Sequence, residues 1–560
     1  MRIASLLSSI ALIAALSACQ GKSAQPQAEL AKISGADIAR HIEVLASDKF
    51  EGRAPSGTGA DLTTHYIAGQ MKASGLKPMG VDGTYFQPVT LTEMTAKPSS
   101  FARITMGKIV RELEQRENAV FWTKQYTDTA KVENSELVFV GYGTVAPEYD
   151  WNDYAGLDVK GKTVVMLVND PGYATKDEAL FKGDSMTYYG RWTYKYEEAA
   201  RQGAAAAIVI HETKPASYPW SVVADSWTGG QFDLVRPDKG MSRPELEGWV
   251  TTEQAREMFA RAGLQLEEMK AAASHKGFKP VPMGGLTLDA QIDNDIKTIQ
   301  SRNVAGGVVG SKYPDEYVLY MGHWDHLGMK DGKPGEDLIY NGAVDNATGT
   351  AAVMEIGKAF ASGPQPERSV IIVSVTAEES GLLGSAYYGE APLVPLAKTV
   401  AGINIDAMFP LGETKDIMVI GYGASQLEDR LKAILDTQGK YIVPDQNPSA
   451  GYFYRSDHIS LAKKGVPMLY ADGGVDHIGK GKTFGEAFGK DYTANRYHQT
   501  SDDYSADWDM SGIEATTQLF YELGMNIANT QDWPTWYEGS EFRAIRDASL
   551  RAAASSENGH

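Results

Sequence analysis

"EYVLYMGHWDHLG", residues 316–328, carries an apolar run into a glycine and then sets two histidines around an aspartate. The run reads as a strand covered on both faces, because near-continuous apolar stretches mark such strands where alternation marks half-exposed ones. His323 and Asp325 then stand just beyond its carboxyl end, where open α/β sheets gather their sites. A lone histidine at a strand end is ordinarily a structural residue. The chain has only 10 histidines in 560 residues, so two of them about a carboxylate raise the reading of a metal site.

Working outward, the same alternation continues from about residue 303 to 530. Strands are expected in "RSVIIVSVT" (368–376), "TVAGINIDAM" (399–408), "DIMVIGYG" (416–423) and "VPMLYADGG" (466–474). Helices are expected in "GTAAVMEIGKAFAS" (349–362), "GLLGSAYYGEA" (381–391), "QLEDRLKAILDTQ" (426–438), "HISLAKKG" (458–465) and "MSGIEATTQLFYELGMNIAN" (510–529). This pattern predicts an α/β fold with a mixed, mostly parallel sheet flanked by helices. Upstream, "GADIARHIEVLAS" (35–47) and "TGADLTTHYIAGQMKASGL" (58–76) read as helices around the loop "KFEGRAPSG", and "GTYFQPVTL" (83–91) reads as a strand.

Composition shifts from about 132 to 288, where short strands ("SELVFVGYGTV", "GKTVVMLVND", "AAAAIVIHE") and aromatic-rich loops accompany one helix, "YKYEEAARQGA". A chain of 560 residues exceeds one ordinary core. The segment 132–288 therefore reads as a compact β-rich unit inserted into a domain built from 35–131 and 289–532, with 533–560 as a tail and "RAAASSENGH" expected to fray.

The composition is that of a soluble globular protein, 43% hydrophobic and 22% charged, and the formal charge of −19 argues against nucleic acid and anionic membrane surfaces as partners. The start, "MRIASLLSSIALIAALSACQ", has Arg2 before a short apolar stretch and reads as an export signal rather than a membrane span. Leu16-Ser17-Ala18-Cys19 resembles a bacterial lipobox. Residues 1–18 are expected to be removed, Cys19 to be lipidated, and 19–34 to form a tether. The protein would then be exported and face the periplasm or cell exterior, touching membrane only through that anchor. Gln20 stands where an aspartate is linked to inner-membrane retention in some bacteria, which favours the outer membrane.

The potential ligands at strand ends are His323, Asp325, Asp345, Glu378, Glu379, Asp406 and His498. Each alone has an ordinary reading: Asp345 could cap the helix at 349, and Glu378–Glu379 could begin a helix favoured by its dipole. Together they make two imidazoles and several carboxylates without a thiolate. Such a donor set suits zinc, with manganese and cobalt as other candidates. The carboxylates are too many for one tetrahedral ion, so two divalent cations are expected. The helix-borne H-E-x-x-H and the G-x-S-x-G elbow are absent. "GKGKT" (479–483) lacks the first glycine of a phosphate loop, with Asp476 in its place, and reads as a flexible loop.

"GHWDH", "NGAVDNATGTAAVMEI", "AEESGLLGS", "NID" and "YHQTSDD" together resemble the M28 metallopeptidases, mostly co-catalytic zinc aminopeptidases. The middle segment is similar to the protease-associated (PA) domain that many members carry as an insertion. The resemblance implies a zinc-exopeptidase fold with a small inserted PA domain, peptide substrates and two Zn²⁺ per chain. It implies that His323 and Asp406 bind one zinc, Glu379 and His498 the other, and Asp345 both. Glu378 would be the general base, Asp325 the orienter of His323, and Tyr497 a group steadying the tetrahedral oxyanion. His326 would pack or support the ligands, and Asp457 would face a substrate amine or cap the following helix. An aminopeptidase leads. A carboxypeptidase or dipeptidase of the same fold, a glutaminyl cyclase and a non-catalytic binding module follow, and the oligomeric state is open.

Overall fold

The computed structural model describes residues 29–557 except 228, 331 and 334. The expected leader, Cys19 and most of the expected tether lie outside the described residues. Among the described residues no helix is long and apolar enough to cross a membrane.

The quoted run is the strand Tyr313–His323, and it occupies the middle of a mixed sheet. It pairs in parallel with Arg368–Val375 on one side and Thr399–Asn404 on the other, and the latter pairs in parallel with Met468–Gly473. Antiparallel strands complete both flanks: Val281–Val308 beside Arg368–Val375, then Phe86–Ala96, and on the far side Asp416–Val419. The reason for the unbroken apolar run is visible in the packing. Val318 and Tyr320 face a core shared with the helices Gly35–Leu45, Gly349–Ser362 and Ser511–Ala528. Leu319 and Met321 face a second core with Tyr388, Ile459, Trp536 and Phe542. Successive side chains point to opposite faces, so two covered faces require every position to be apolar.

A second sheet carries its own cores. Leu137–Phe139, Thr163–Leu167, Ala206–His211 and Leu246–Thr251 run parallel in that order, and Ala119–Trp122 closes the edge antiparallel to Leu246–Thr251. This sheet reaches back to Phe101–Met106, N-terminal to 132, because Ala102 and Ile104 share the core of Leu137 and Phe139. It is also richer in helix than the sequence suggests. Thr252–Arg261 and Leu266–Ala273 pack on it, the first started by Thr251, whose hydroxyl accepts the Gln254 N–H. The 28-residue strand Val281–Val308 joins the two sheets, pairing first with Phe101–Met106 and Thr129–Phe139, then with Phe86–Ala96 and Arg368–Val375. Position 288 therefore falls inside a continuous strand.

Two expectations are corrected. Irregular backbone at 479–483 is confined to the turn at Gly479 and Gly481, both at positive φ, and a 14-residue helix, Lys482–Asn495, follows at once. The described residues end in a helix, Arg543–Glu557, which takes in 551–557 of the segment expected to fray. It docks through Arg546, whose guanidinium donates to Leu396 O at 3.1 Å and Thr399 O at 2.7 Å and is 2% exposed. The side chain it buries is Arg546, while the neighbouring Ile545 is exposed. Arg546→Ala is expected to lower stability by about 2 kcal/mol, since it strips two buried carbonyls of their donor. A urea melt monitored by circular dichroism, alongside the unmodified chain, measures this; an unchanged midpoint would mean that the helix is held by other contacts.

Candidate metal centre

The parallel strands end at one level, and that level assembles the site. His323 closes its own strand; Glu378 and Glu379 follow Arg368–Val375 after a turn at Ala377; Asp406 follows Thr399–Asn404. Asp345 enters from the segment before the Gly349–Ser362 helix, and His498 from the loop after Lys482–Asn495, in left-handed backbone at φ 58°.

Asp345 lies between the two imidazoles. Its Oδ1 is 3.3 Å from His323 Nε2 and its Oδ2 is 3.2 Å from His498 Nε2. His323 Nε2 also lies 3.2 Å from Asp406 Oδ1, and His498 Nε2 lies 3.1 Å from Glu379 Oε2. The structure thus brings His323, Asp345, Glu379, Asp406 and His498 together as two clusters sharing one carboxylate. A tetrahedral zinc with bonds of about 2.0–2.1 Å sets its ligand atoms about 3.3–3.4 Å apart, and the observed spacings of 3.1–3.3 Å match those edges. The nitrogen and oxygen donors suit zinc better than calcium or magnesium, which take all-oxygen shells. The donor set fits zinc.

Asp325 is placed beside His323, but its parts divide the work differently from the expectation. Its backbone carbonyl is 3.1 Å from His323 Nδ1, whereas its carboxylate is 3.9 Å away and accepts the Glu378 N–H at 3.0 Å. Asp325 therefore fixes His323 through the main chain and the Glu378 backbone through its side chain. The Glu378 carboxylate makes no hydrogen bond to the described residues and lines a cavity of about 500 Å³ together with Glu379 and Tyr497. Tyr497 is 45% exposed, and its ring stacks on His498 at 3.9 Å.

Electrostatics follow from burial and charge. Burial raises Asp345, but hydrogen bonding with His323 and His498 overrides it and holds the carboxylate well below its usual range. Burial and Asp345 push Glu379 up, and His498 and His326 bring it down to about 2. His498, lowered by burial, is lifted by Glu379 and Asp345 to about 10. Glu378 has no such partner. Burial dominates there, with His323 opposing, and raises it well above the usual carboxylate range. The two adjacent glutamates are thereby separated, one an anionic ligand and the other a group able to carry a proton.

His326 supports a candidate ligand in the manner the sequence reading allows, whereas Ser456, Asp502 and Arg53 escape that reading. His326 places Nδ1 2.6 Å from Glu379 Oε1, which makes it a direct contact of a candidate ligand. Ser456 donates its hydroxyl to Asp406 Oδ2 at 2.6 Å. Asp502, which could have passed for a turn cap, accepts the Val344 and Asp345 N–H groups and the Tyr492 hydroxyl. Asp457 is fully buried, and its carboxylate makes neither a helix-cap bond nor any other hydrogen bond to the described residues. Arg53, from the loop "KFEGRAPSG", is buried and donates to the carbonyls of Leu45, Trp324, Asn341 and Gly342 at 2.6–2.9 Å. It ties the first helix to the loops that carry His323 and Asp345, and its charge faces Asp502, Asp325, Asp345 and Glu379.

Residues 303–523 match the model of Peptidase family M28. "Aminopeptidase NAALADL1" of Mus musculus is 35% identical over 139 residues, 23% of this chain and 17% of that one. "Glutamate carboxypeptidase 2 homolog" of Caenorhabditis elegans is 25% identical over 321 residues, 49% of this chain and 37% of that one. The matched segments thus span well under half the length of these curated relatives. The solved structure titled "Aminopeptidase from Aneurinibacillus sp. strain AM-1" superposes with a TM-score of 0.50 at 17% identity, covering 89% of this chain and 94% of that one, and shows a shared fold.

Arg53→Met removes the donor from four buried carbonyls and a guanidinium that faces the carboxylates. A loss of about 3–5 kcal/mol is expected, the range for breaking a buried charge network by deleting one member. Chemical denaturation of the two proteins checks this, and a difference below about 1 kcal/mol would show that the loops hold their places without it.

Proposed function

We propose that this chain, which belongs to peptidase family M28 through residues 303–523, is a zinc exopeptidase that uses two ions per chain to release N-terminal residues from peptides. One observation carries the reading: Asp345 divides its oxygens between the His323–Asp406 and His498–Glu379 clusters while Glu378 stays open to the cavity. Zinc bound there supplies Lewis acidity, favouring hydroxide over water near neutral pH and drawing electron density from the scissile carbonyl. Glu378 takes the proton of the attacking water as the C–O bond forms. It returns that proton to the amine as the C–N bond breaks. Tyr497, at the cavity wall beside His498, is in place to donate to the developing oxyanion. Asp325 and Ser456 hold His323, the Glu378 backbone and Asp406 against displacement.

The second sheet supports a reading as an inserted PA-like unit that walls the cavity, since Lys124, Arg191 and Trp227 from that part line it together with Glu378. The leader and Cys19 support export and lipid anchoring, which places the substrates outside the cytoplasm. Peptides are the expected partners. The printed names of the relatives include both amino- and carboxypeptidases.

The test is mass spectrometry of products from one short peptide, offered to the zinc-loaded chain with a free and with an acetylated N-terminus. Stepwise N-terminal loss from the free form alone is expected. C-terminal loss from both forms would make it a carboxypeptidase, and no cleavage of either would overturn the exopeptidase reading. Glu378→Gln should lower kcat at least about 100-fold, the range for losing a general base, while leaving zinc content unchanged. Full activity in that variant would exclude Glu378 as the base.

A further inference from the structure

One carboxylate at the level of the metal cluster is neither a candidate ligand nor paired with a cation. The strands Thr399–Asn404 and Met468–Gly473 run in parallel with Asn404 opposite Tyr470. Asp406 and Asp472 follow that pair at equal distance along the chain, close enough for the charge of Asp406 to act on Asp472. Asp472 is 9% exposed. Among the described residues its carboxylate has one hydrogen bond, the Gly473 N–H on Oδ1 at 2.6 Å, and no ion pair. Burial pushes this carboxyl up to about 8; the Gly473 N–H opposes the rise, and the charge of Asp406 adds to it. A buried acid of this kind is costly as an anion unless a cation reaches it.

Asp472 opens onto a niche of about 10 Å³, room for one water-sized group. Met408, Phe409, Leu411 and Ile513 give the niche apolar walls. An ammonium head group is the size of a water molecule, and long basic side chains lay their methylenes on apolar surface while carrying the charge at the tip. The niche is built onto the metal cluster. Met408 and Phe409 come shortly after the candidate ligand Asp406, and the Ala407 and Met408 N–H groups donate to Asn346 Oδ1 and Thr348 Oγ1, both at 3.1 Å, just beyond Asp345. From Phe409 a series of rings continues to Tyr492 at 5.1 Å, and from Tyr492 to Tyr497 at 6.2 Å. Tyr497 lines the cavity to which Glu378 is open. The niche and the catalytic cavity thus lie along one aromatic wall.

We infer that Asp472 is the specificity-determining base of a side-chain pocket, which selects peptides whose N-terminal residue carries a cationic side chain of the lysine class. The scissile bond would lie at Glu378 while the side-chain ammonium settles at Asp472 Oδ2, the oxygen left without a partner. The inference rests on the exopeptidase reading above and adds the substrate class. It is distinct from recognition of the α-amine, which every N-terminal residue shares.

Steady-state kinetics on the zinc-loaded chain test this with Lys-Ala-Ala against norleucine-Ala-Ala, in which the first side chain keeps the aliphatic stem and lacks the ammonium. A charge-assisted contact is worth about 10–100-fold in affinity, so kcat/KM should be higher for the lysine peptide by that factor. Asp472→Asn should bring the ratio towards one. A methyl added at Gly473, which also lines the niche, would stand 3.7 Å from Thr516 Oγ1, an ordinary contact, so Gly473→Ala should lower the ratio by crowding the niche with the acid still in place. If one variant fails to fold by circular dichroism, the other carries the comparison; if both fail, the ratio of the unmodified chain decides. Equal kcat/KM for the two peptides would overturn the pocket while leaving the exopeptidase reading standing. A ratio that Asp472→Asn leaves intact would also overturn it, because an acid serving the α-amine or the fold alone slows both peptides alike. If neither peptide loses its N-terminal residue, the exopeptidase reading as stated fails, and calorimetric titration of the same peptides decides the pocket. Tighter binding of the lysine peptide, lost in Asp472→Asn, supports it; equal binding, or a preference that the variant keeps, overturns it.

Discussion

A buried carboxylate with one oxygen on each of two imidazoles sets the scale of everything around it. Asp345 holds that position because its own N–H and that of Val344 are anchored on Asp502, and because Arg53 binds the carbonyls of Asn341 and Gly342 just upstream. The strands that deliver His323, Glu379 and Asp406 end at one level because parallel pairing places their carboxyl ends side by side. So many acids in one place repel each other unless cations join them. The supporting hydrogen bonds act chiefly to hold ligands at spacings of 3.1–3.3 Å.

Much of this was legible in the sequence. The apolar run before His323 required a strand covered on both faces, and the following segments repeated the signal with helices between them. The strand-end residues His323, Asp345, Glu379, Asp406 and His498 could be singled out together because their types and positions fit one chemistry. What escaped was every residue whose role depends on a main-chain partner or on distant chain. Arg53 sits in an ordinary Gly/Pro loop, and only the fold shows that its guanidinium meets three carbonyls some 271–289 positions away. Asp325 was read through its carboxylate, yet its carbonyl is the closer group to His323. The terminal helix docks through a buried arginine, Arg546, a residue type that sequence alone places at the surface. The second sheet extends upstream to Phe101 because a single 28-residue strand serves two sheets, and a change in composition cannot mark a boundary inside a continuous strand.

The cavity joins these two parts chemically. Its peptidase end gathers carboxylates, one of which stays open beside the metal-ligand cluster. Its lining also carries cations paired with nearby acids, Lys124 and Arg236 with Asp233, Arg243 with Glu247 and Lys463 with Glu197. Glu378 and Glu379 show the same economy on a smaller scale, as neighbours in sequence whose surroundings give them opposite protonation behaviour.

Anomalous X-ray diffraction at the zinc edge, from crystals of the zinc-loaded chain, tests the central claim most directly. The account predicts two peaks about 3.5–4 Å apart, as in two-metal sites generally, with the Asp345 carboxylate between them and His323 and His498 on opposite sides. A single peak, or peaks away from Asp345, would contradict it.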